Sequence, residues 1–219
     1  MRVGLLPASG SATRLRGIPK FCLPISNSQS LLEWHVIKML SVCDEVRIST
    51  RKSWIPIVEQ FNLPVKIYEI EPSTMSDALK KMTDGTESSC LIGMPDTYIA
   101  YSSENFYEKM SELDCDIAMA SWECHPDLFG RVGQIDYIDT KVTEVVDKNF
   151  ECKLDRMWGS LAFNISMNML DDKLSHPGLQ INEFINKDFN VQHVPCSGKY
   201  IDAGTIGGIK ELYESLTLE

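Results

Sequence analysis

Val3-Gly4-Leu5-Leu6-Pro7-Ala8-Ser9-Gly10-Ser11-Ala12-Thr13-Arg14-Leu15 is the stretch from which the rest of the chain is read, and Pro19-Lys20-Phe21-Cys22-Leu23-Pro24-Ile25 follows close behind. Val3 to Leu6 is a short apolar run that ends at Pro7 and passes into small residues, the pattern of a buried strand feeding a loop. Small side chains let backbone N–H groups approach an anion, and a strand-to-loop transition makes a concave nest of such donors. Arg14 adds a planar fork suited to phosphate oxygens, and Lys20 adds a compact charge. The chemistry points to a phosphate-binding loop; a plain surface turn carrying two solvated cations is the competing reading. It is not a Walker loop, because G-x-x-x-x-G-K-[ST] is absent, and it lacks the G-x-G-x-x-G dinucleotide fingerprint.

The surroundings narrow the function classes. In 219 residues, 43% hydrophobic, Lys and Arg number 21 against 31 Asp and Glu, a formal charge of −10. Nucleic-acid and anionic-membrane surfaces need a basic face, so neither partner is expected, while a small anionic ligand held by a few placed cations fits. No apolar run approaches the roughly 18 residues of a membrane span, and no signal-peptide pattern is present, so a cytoplasmic location is expected. Cysteines number seven and are scattered without a C-x-x-C, which argues against a zinc site or a disulfide framework. The Cys124-His125 dipeptide has no further ligands at metal-binding spacing.

No repeat or low-complexity linker divides the chain, so residues 1–219 are read as a single domain. Ser30 and Glu33 form a capping-box signature before Leu32, Val36, Met39, Leu40 and Cys43, an amphipathic helix. Residues 46–50 and 65–70 read as strands around a weaker helix at 54–61, and 74–82 reads as a short helix begun by Thr74-x-x-Asp77. Cys90 to Met94 fits a strand covered on both faces and stops at Pro95-Asp96. Residues 117–122, 132–138, 142–146 and 160–165 read as further strands, the middle pair as a hairpin turning at Asp139-Thr140. A last helix begins near Thr205 with Ile206, Ile209, Tyr213 and Leu216 on its inner face. Early strand-helix alternation predicts an α/β fold with a mixed, mainly parallel sheet in a three-layer α/β/α sandwich, and ligands at the carboxyl ends of its strands.

The opening segment resembles the sugar-nucleotide pyrophosphorylases, the family of glucose-1-phosphate thymidylyltransferases and uridylyltransferases, with its signature L-A-G-G-x-G-T-R-L followed by P-K-x-L-L-P-I. Ala8, Gly10, Thr13, Arg14 and Leu15 match, as do Pro19, Lys20, Leu23, Pro24 and Ile25. Ser9 and Ala12 replace two family glycines. Gly93-Met94-Pro95-Asp96-Thr97 is similar to the L-G-D segment, Val145-Val146-Asp147-Lys148 to E-E-K-P, and Tyr200-Ile201-Asp202-Ala203-Gly204-Thr205 to W-x-D-x-G-T, in the family's order along nearly the whole chain. The resemblance implies a Rossmann-like nucleotide-diphospho-sugar transferase fold and a minimal pyrophosphorylase without an appended β-helix.

It also implies a reaction between a nucleoside triphosphate, pyrimidine favoured, and a sugar 1-phosphate, giving a nucleotide sugar and pyrophosphate. By the resemblance Arg14 meets the leaving phosphates and Lys20 the α-phosphate. Pro7, Ala8, Ser9, Gly10, Ser11, Ala12 and Thr13 form the nucleotide loop, joined by Glu71 and Ser76. Gly130, Asp147, Lys148 and Gly159 serve the sugar phosphate, and Asp96 with Asp202 holds Mg²⁺. Glu71 aligns with a glutamine that reads the pyrimidine edge, where a carboxylate can only accept; an ordinary strand-end residue is the equal alternative. The alternatives for the whole protein are a cytidylyltransferase for phosphocholine or an alditol phosphate, with Trp122, Trp158, Tyr98 and Tyr101 as candidate cage residues, or a non-catalytic nucleotide-sugar-binding protein. A glycosyltransferase would need a D-x-D metal motif, for which Asp114-x-Asp116 stands at the wrong end of a strand. A homo-oligomer is compatible with the resemblance.

Overall fold

The computed structural model describes residues 1–83 and 89–218, with Arg14 described by its backbone alone. The elements follow in chain order as β1 (Val3–Pro7), β2 (Pro24–Ser26), β3 (Gln29–Ser30), α1 (Leu31–Leu40), β4 (Glu45–Thr50), α2 (Ile55–Gln60) and β5 (Lys66–Glu69). Next come α3 (Met75–Met82), β6 (Cys90–Ile92), β7 (Thr97–Ala100), α4 (Phe106–Ser111), β8 (Ile117–Glu123), β9 (Gly133–Ile138) and β10 (Lys141–Asp147). The chain ends with β11 (Arg156–Phe163), α5 (Ile181–Asn186), β12 (Val191–Pro195), β13 (Lys199–Asp202) and α6 (Ile206–Leu218).

The central sheet has the order β5-β4-β1-β6-β11-β8-β12-β10-β9. β5, β4, β1 and β6 run parallel, with Leu5 opposite Arg47 on one side and Ile92 on the other. Beyond β6 the pairing turns antiparallel except between β12 and β8, and β9 also pairs with β11. The expectation of a mainly parallel sheet therefore describes only its N-terminal half. The cause is connection length: a parallel neighbour needs a helical crossover, such as α1 between β1 and β4, whereas the two-residue turn at Asp139-Thr140 can only return the chain antiparallel. Asp139 takes the left-handed conformation, φ 55°, that such a turn requires.

Alternate strand residues feed two separate cores. Leu6, Leu91 and Ala118 join Val36, Met39 and Tyr107 of α1 and α4 in one cluster. Leu5, Ile92 and Met119 join Leu79 and Phe184 of α3 and α5 in the other. A third, smaller core lies under the paired ribbons β2/β3 and β7/β13, where Leu212 of α6 packs on Ile25, Leu31 and Ile201.

Two helix starts form as the sequence predicts. Ser30 Oγ accepts from the Glu33 N–H at 3.3 Å while the Glu33 carboxylate accepts from the Ser30 N–H at 2.7 Å, a reciprocal cap worth about 1 kcal/mol. Thr74 Oγ1 accepts from the Asp77 N–H at 2.9 Å at the start of α3. The last helix is turned from its expected face: Gly208, Leu212 and Ser215 are buried, while Ile206 and Tyr213 are exposed. Gly208 causes this, because a Cβ there would overlap the backbone carbonyl of Asp202, so the helix lies against that loop through its glycine. Short elements without a full period, β7, α4, α5 and β12 among them, are not in the sequence reading. No described helix is long and apolar enough to cross a membrane.

Candidate active site

The loop after β1 is held from beneath by the end of β4. The Ala8 N–H donates to the Ser49 carbonyl at 2.9 Å, and the Ser9 and Ser49 hydroxyls, both fully buried, lie 2.8 Å apart. Arg51 Nε donates to the Ser9 carbonyl at 2.8 Å. The Ser9 hydroxyl is thus turned into the protein, although the residue still lines a cavity. Ala12 has φ 49°, and its carbonyl accepts from the N–H groups of Leu15 and Gly17, both at 3.0 Å. A glycine fits this left-handed conformation without cost, whereas alanine carries about 1 kcal/mol of strain. The side chain of Arg14 lies outside the described residues.

The two aspartates and Lys20 come from distant parts of the chain. Thr97 opens β7 and Asp202 closes β13, and these residues are directly opposed in the antiparallel ribbon. The Ala203 N–H donates to the Asp96 carbonyl at 2.9 Å, which locks the two segments together. Lys20, on a short 3-10 turn after Pro19, pairs with Asp96 Oδ2 at 2.8 Å. A Cβ placed on Gly204 would lie 2.6 Å from Asp202 Oδ1, 2.7 Å from Lys20 Nζ and 3.1 Å from Asp96 Oδ2, so all three groups converge on one glycine. That glycine also donates its N–H to Asp202 Oδ1 at 2.7 Å.

Three cavities meet at this cluster, and Asp96 lines all of them. The first, about 290 Å³, is bounded by the loop residues Pro7, Ala8 and Gly10 to Thr13 with Lys20. The second, about 490 Å³, runs from Ser9 to Ser11 past Arg51 to Pro72, Ser73 and Thr74. The third, about 260 Å³, holds Asp147, Lys148, Gly159 and Asp202 together with Arg131 and Trp158. Lys20, Arg51, Arg131 and Lys148 thus place positive charge around the cavities of a chain that is negative as a whole.

In the third cavity Asp147 Oδ2 lies 3.4 Å from His176 Nε2, and burial pushes the His176 imidazole down from its ordinary pKa against the pull of Asp147. Lys148 follows at φ 48°, a left-handed conformation that is uncommon outside glycine and gathers at functional sites. Gly159 sits at a register shift in β11, and a Cβ on it would overlap the Tyr200 ring, so its bareness admits Tyr200.

Other expected residues do not gather here. Glu71 is exposed and outside the cavity linings, 4.0 Å from Arg51. Ser76 is buried in the first turn of α3 and lines no described cavity. Gly130 packs under Phe150, and Gly133 takes its place in the third cavity. Of the four aromatic residues considered for a cage only Trp158 lines that cavity; Trp122 is in the core with Phe106 and Tyr200. Asp116 accepts from the Asn190 N–H at 2.8 Å, joining β8 to the start of β12 at the sheet end away from the cavities. Burial pushes the Cys124 thiol up to about 11, the opposite of an activated nucleophile. Arg51 and His176 are titratable cavity residues that the sequence does not single out. Arg51 carried a usable signal, a cation immediately after the carboxyl end of a strand beside β1.

The fold is that of the sugar-nucleotide pyrophosphorylases. A protein described as a glucose-1-phosphate thymidylyltransferase from Bacillus anthracis, in complex with sucrose, superposes with a TM-score of 0.80 at 17% identity, covering 98% of this chain and 94% of that one. A UDP-glucose pyrophosphorylase complexed with UDP-glucose gives 0.79 at 15% identity over 100% and 99%. The inositol-1-phosphate CTP transferase from T. maritima gives 0.73 at 11% identity over 99% and 96%. No protein-family model matches the sequence, and no curated protein sequence matches it.

Proposed function

We propose that this protein is a nucleotidyltransferase that joins a nucleoside triphosphate to a phosphorylated acceptor of the sugar 1-phosphate type. The observation that carries this reading is the meeting of three cavities at Asp96, one lined by the loop after β1 with Lys20, one by Arg51 and residues 72–74, and one by Asp147 and Lys148. An oxygen of the acceptor phosphate forms a bond to the α-phosphorus as the bond from that phosphorus to the bridging oxygen breaks, and pyrophosphate departs with the electron pair. The attacking phosphate is already anionic near neutral pH, its second pKa being about 6, so no general base is needed. What remains is to bring two polyanions together and stabilise the charge between them.

The loop N–H groups of residues 9–12 receive the triphosphate, the Ala8 N–H being held by the Ser49 carbonyl, and Lys20 neutralises charge near the α-phosphorus. Arg14 is assigned to the leaving phosphates on the resemblance of its motif. Lys148 receives the acceptor phosphate and Asp147, oriented by His176, an acceptor hydroxyl. Asp96 and Asp202 are hard oxygen donors facing the same space and suit Mg²⁺, which would supply charge neutralisation on the phosphates. No group of three or more metal-ligating side chains exists among the described residues. The four aromatic residues do not converge, so no observation favours phosphocholine over a hydroxylated acceptor.

The test is a panel of nucleoside triphosphates crossed with phosphorylated sugars and alditols, read by pyrophosphate release with and without EDTA. Lys20→Ala and Asp96→Asn should each lower turnover at saturating substrate by about 10²–10³. Absence of release with every pair, or near-normal turnover in both variants, overturns the assignment.

A further inference from the structure

The second cavity has two ends. Gly10, Ser11 and Asp96 also bound the phosphate-loop cavity, so that end belongs to the triphosphate. The other end, lined by Arg51, Pro72, Ser73 and Thr74, is left for the base. Arg51 is the one cation among the described residues lining it. Its guanidinium is held by one hydrogen bond, from Nε to the Ser9 carbonyl at 2.8 Å, and Nη1 lies 4.0 Å from Glu71 Oε1.

We propose that Arg51 selects the nucleobase and that the base it selects is cytosine. The inference rests on the nucleotidyltransferase reading and concerns the base edge alone. A guanidinium fork only donates, and it is satisfied in a bidentate manner by two adjacent acceptors. Cytosine presents O2 and N3 as such a pair. Uracil and thymine carry a hydrogen on N3, which sets donor against donor and leaves the fork with one partner. Glu71, exposed outside the lining with Oε1 4.0 Å from Nη1, continues the edge with an acceptor, which matches the exocyclic amino group next to N3 of cytosine. Guanine offers N7 and O6 to a fork, but that edge has no donor for Glu71. The same two residues therefore read acceptor, acceptor and donor in sequence, which is the pairing edge of cytosine.

Calorimetric titration of the full chain with CTP, UTP, dTTP, GTP and 3-deaza-CTP in the presence of Mg²⁺ tests this, since the shared triphosphate cancels between ligands. CTP should bind about 10- to 100-fold more tightly than UTP, the range expected of a bidentate base contact. 3-Deaza-CTP, which lacks the N3 acceptor, should fall toward UTP. Arg51→Lys should abolish the difference between CTP and UTP, because a single ammonium cannot span two acceptors. Tight binding of all nucleotides without base preference overturns the inference and leaves the wider reading standing. Preference for UTP, dTTP or GTP does the same, as does an Arg51→Lys variant that weakens CTP and UTP by one common factor, which is the signature of a prop for Ser9. Failure of every nucleotide to bind overturns the nucleotidyltransferase reading itself.

Discussion

His35 Nε2 donates a hydrogen bond to the backbone carbonyl of Thr97 at 2.9 Å, tying α1 to the residue beside Asp96. A carbonyl can only accept, so the proton resides on Nε2, and Nδ1 accepts from the Tyr107 hydroxyl at 2.7 Å. That hydroxyl in turn occupies the space a side chain on Gly93 would need. The glycine before Asp96 is therefore explained by packing from α4 rather than by contact with a substrate.

Burial pushes the His35 imidazole down from 6.5 to about 4. Between those values the unfolded chain binds more protons than the folded one, so stability is complete above about pH 6.5 and falls as the pH drops toward 4, by roughly 3 kcal/mol in total. Urea denaturation between about pH 7 and pH 5 should show this slope, and His35→Gln should flatten it. An unchanged slope in the variant would place the linkage elsewhere.

The Ser9–Ser49 pair predicts non-additive mutations. Ser49→Ala strands the buried Ser9 hydroxyl and should cost about 1–3 kcal/mol, whereas Ser9→Ala with Ser49→Ala should cost less than the two single changes together. Equilibrium unfolding of the four proteins measures the coupling, and strict additivity would mean the hydroxyls do not interact.

Gly204→Ala should separate activity from stability. The added methyl meets the ends of Lys20, Asp202 and Asp96, which can move aside without unpacking a core, so the folding free energy should shift by less than about 1 kcal/mol. Displacing those groups misaligns the proposed reaction centre, and turnover should fall by about 10² or more. Retained turnover would show that the three groups need not converge.

Ala12→Gly should stabilise the loop. It removes the left-handed strain of about 1 kcal/mol at φ 49°, offset in part by the greater freedom of glycine in the unfolded chain, for a net gain of up to about 0.5 kcal/mol. A shift of the thermal midpoint to lower temperature would contradict this account.

Much of the candidate site is legible in the sequence because the residues that line its cavities cluster in short motifs at strand ends. The loop from Pro7 to Thr13, the Asp96 turn and the Asp147-Lys148 pair can each be read from a change of apolar run to small or charged residues. Gly130 and Glu71 were less legible, because a motif aligns positions without showing which way a side chain leaves the backbone. Gly130 is covered by Phe150, and the exposed Glu71 stands beside Arg51 just outside the cavity lining. The α6 stripe misled for a related reason: helical periodicity ranks faces by hydrophobicity, while the close approach at Gly208 ranks them by size.

The sequence by itself determined the strand-loop start, the capped helices, the acidic balance and the order of the motifs, since these depend on neighbours within a few residues. Tertiary structure alone decided that β7 pairs with β13, and so that Asp96, Asp202 and Lys20 share one space. It also decided that β4 delivers Arg51 and Ser49 to the loop after β1. Strand pairing over long separations depends on which apolar faces are buried together, a property of the whole chain that no local window contains.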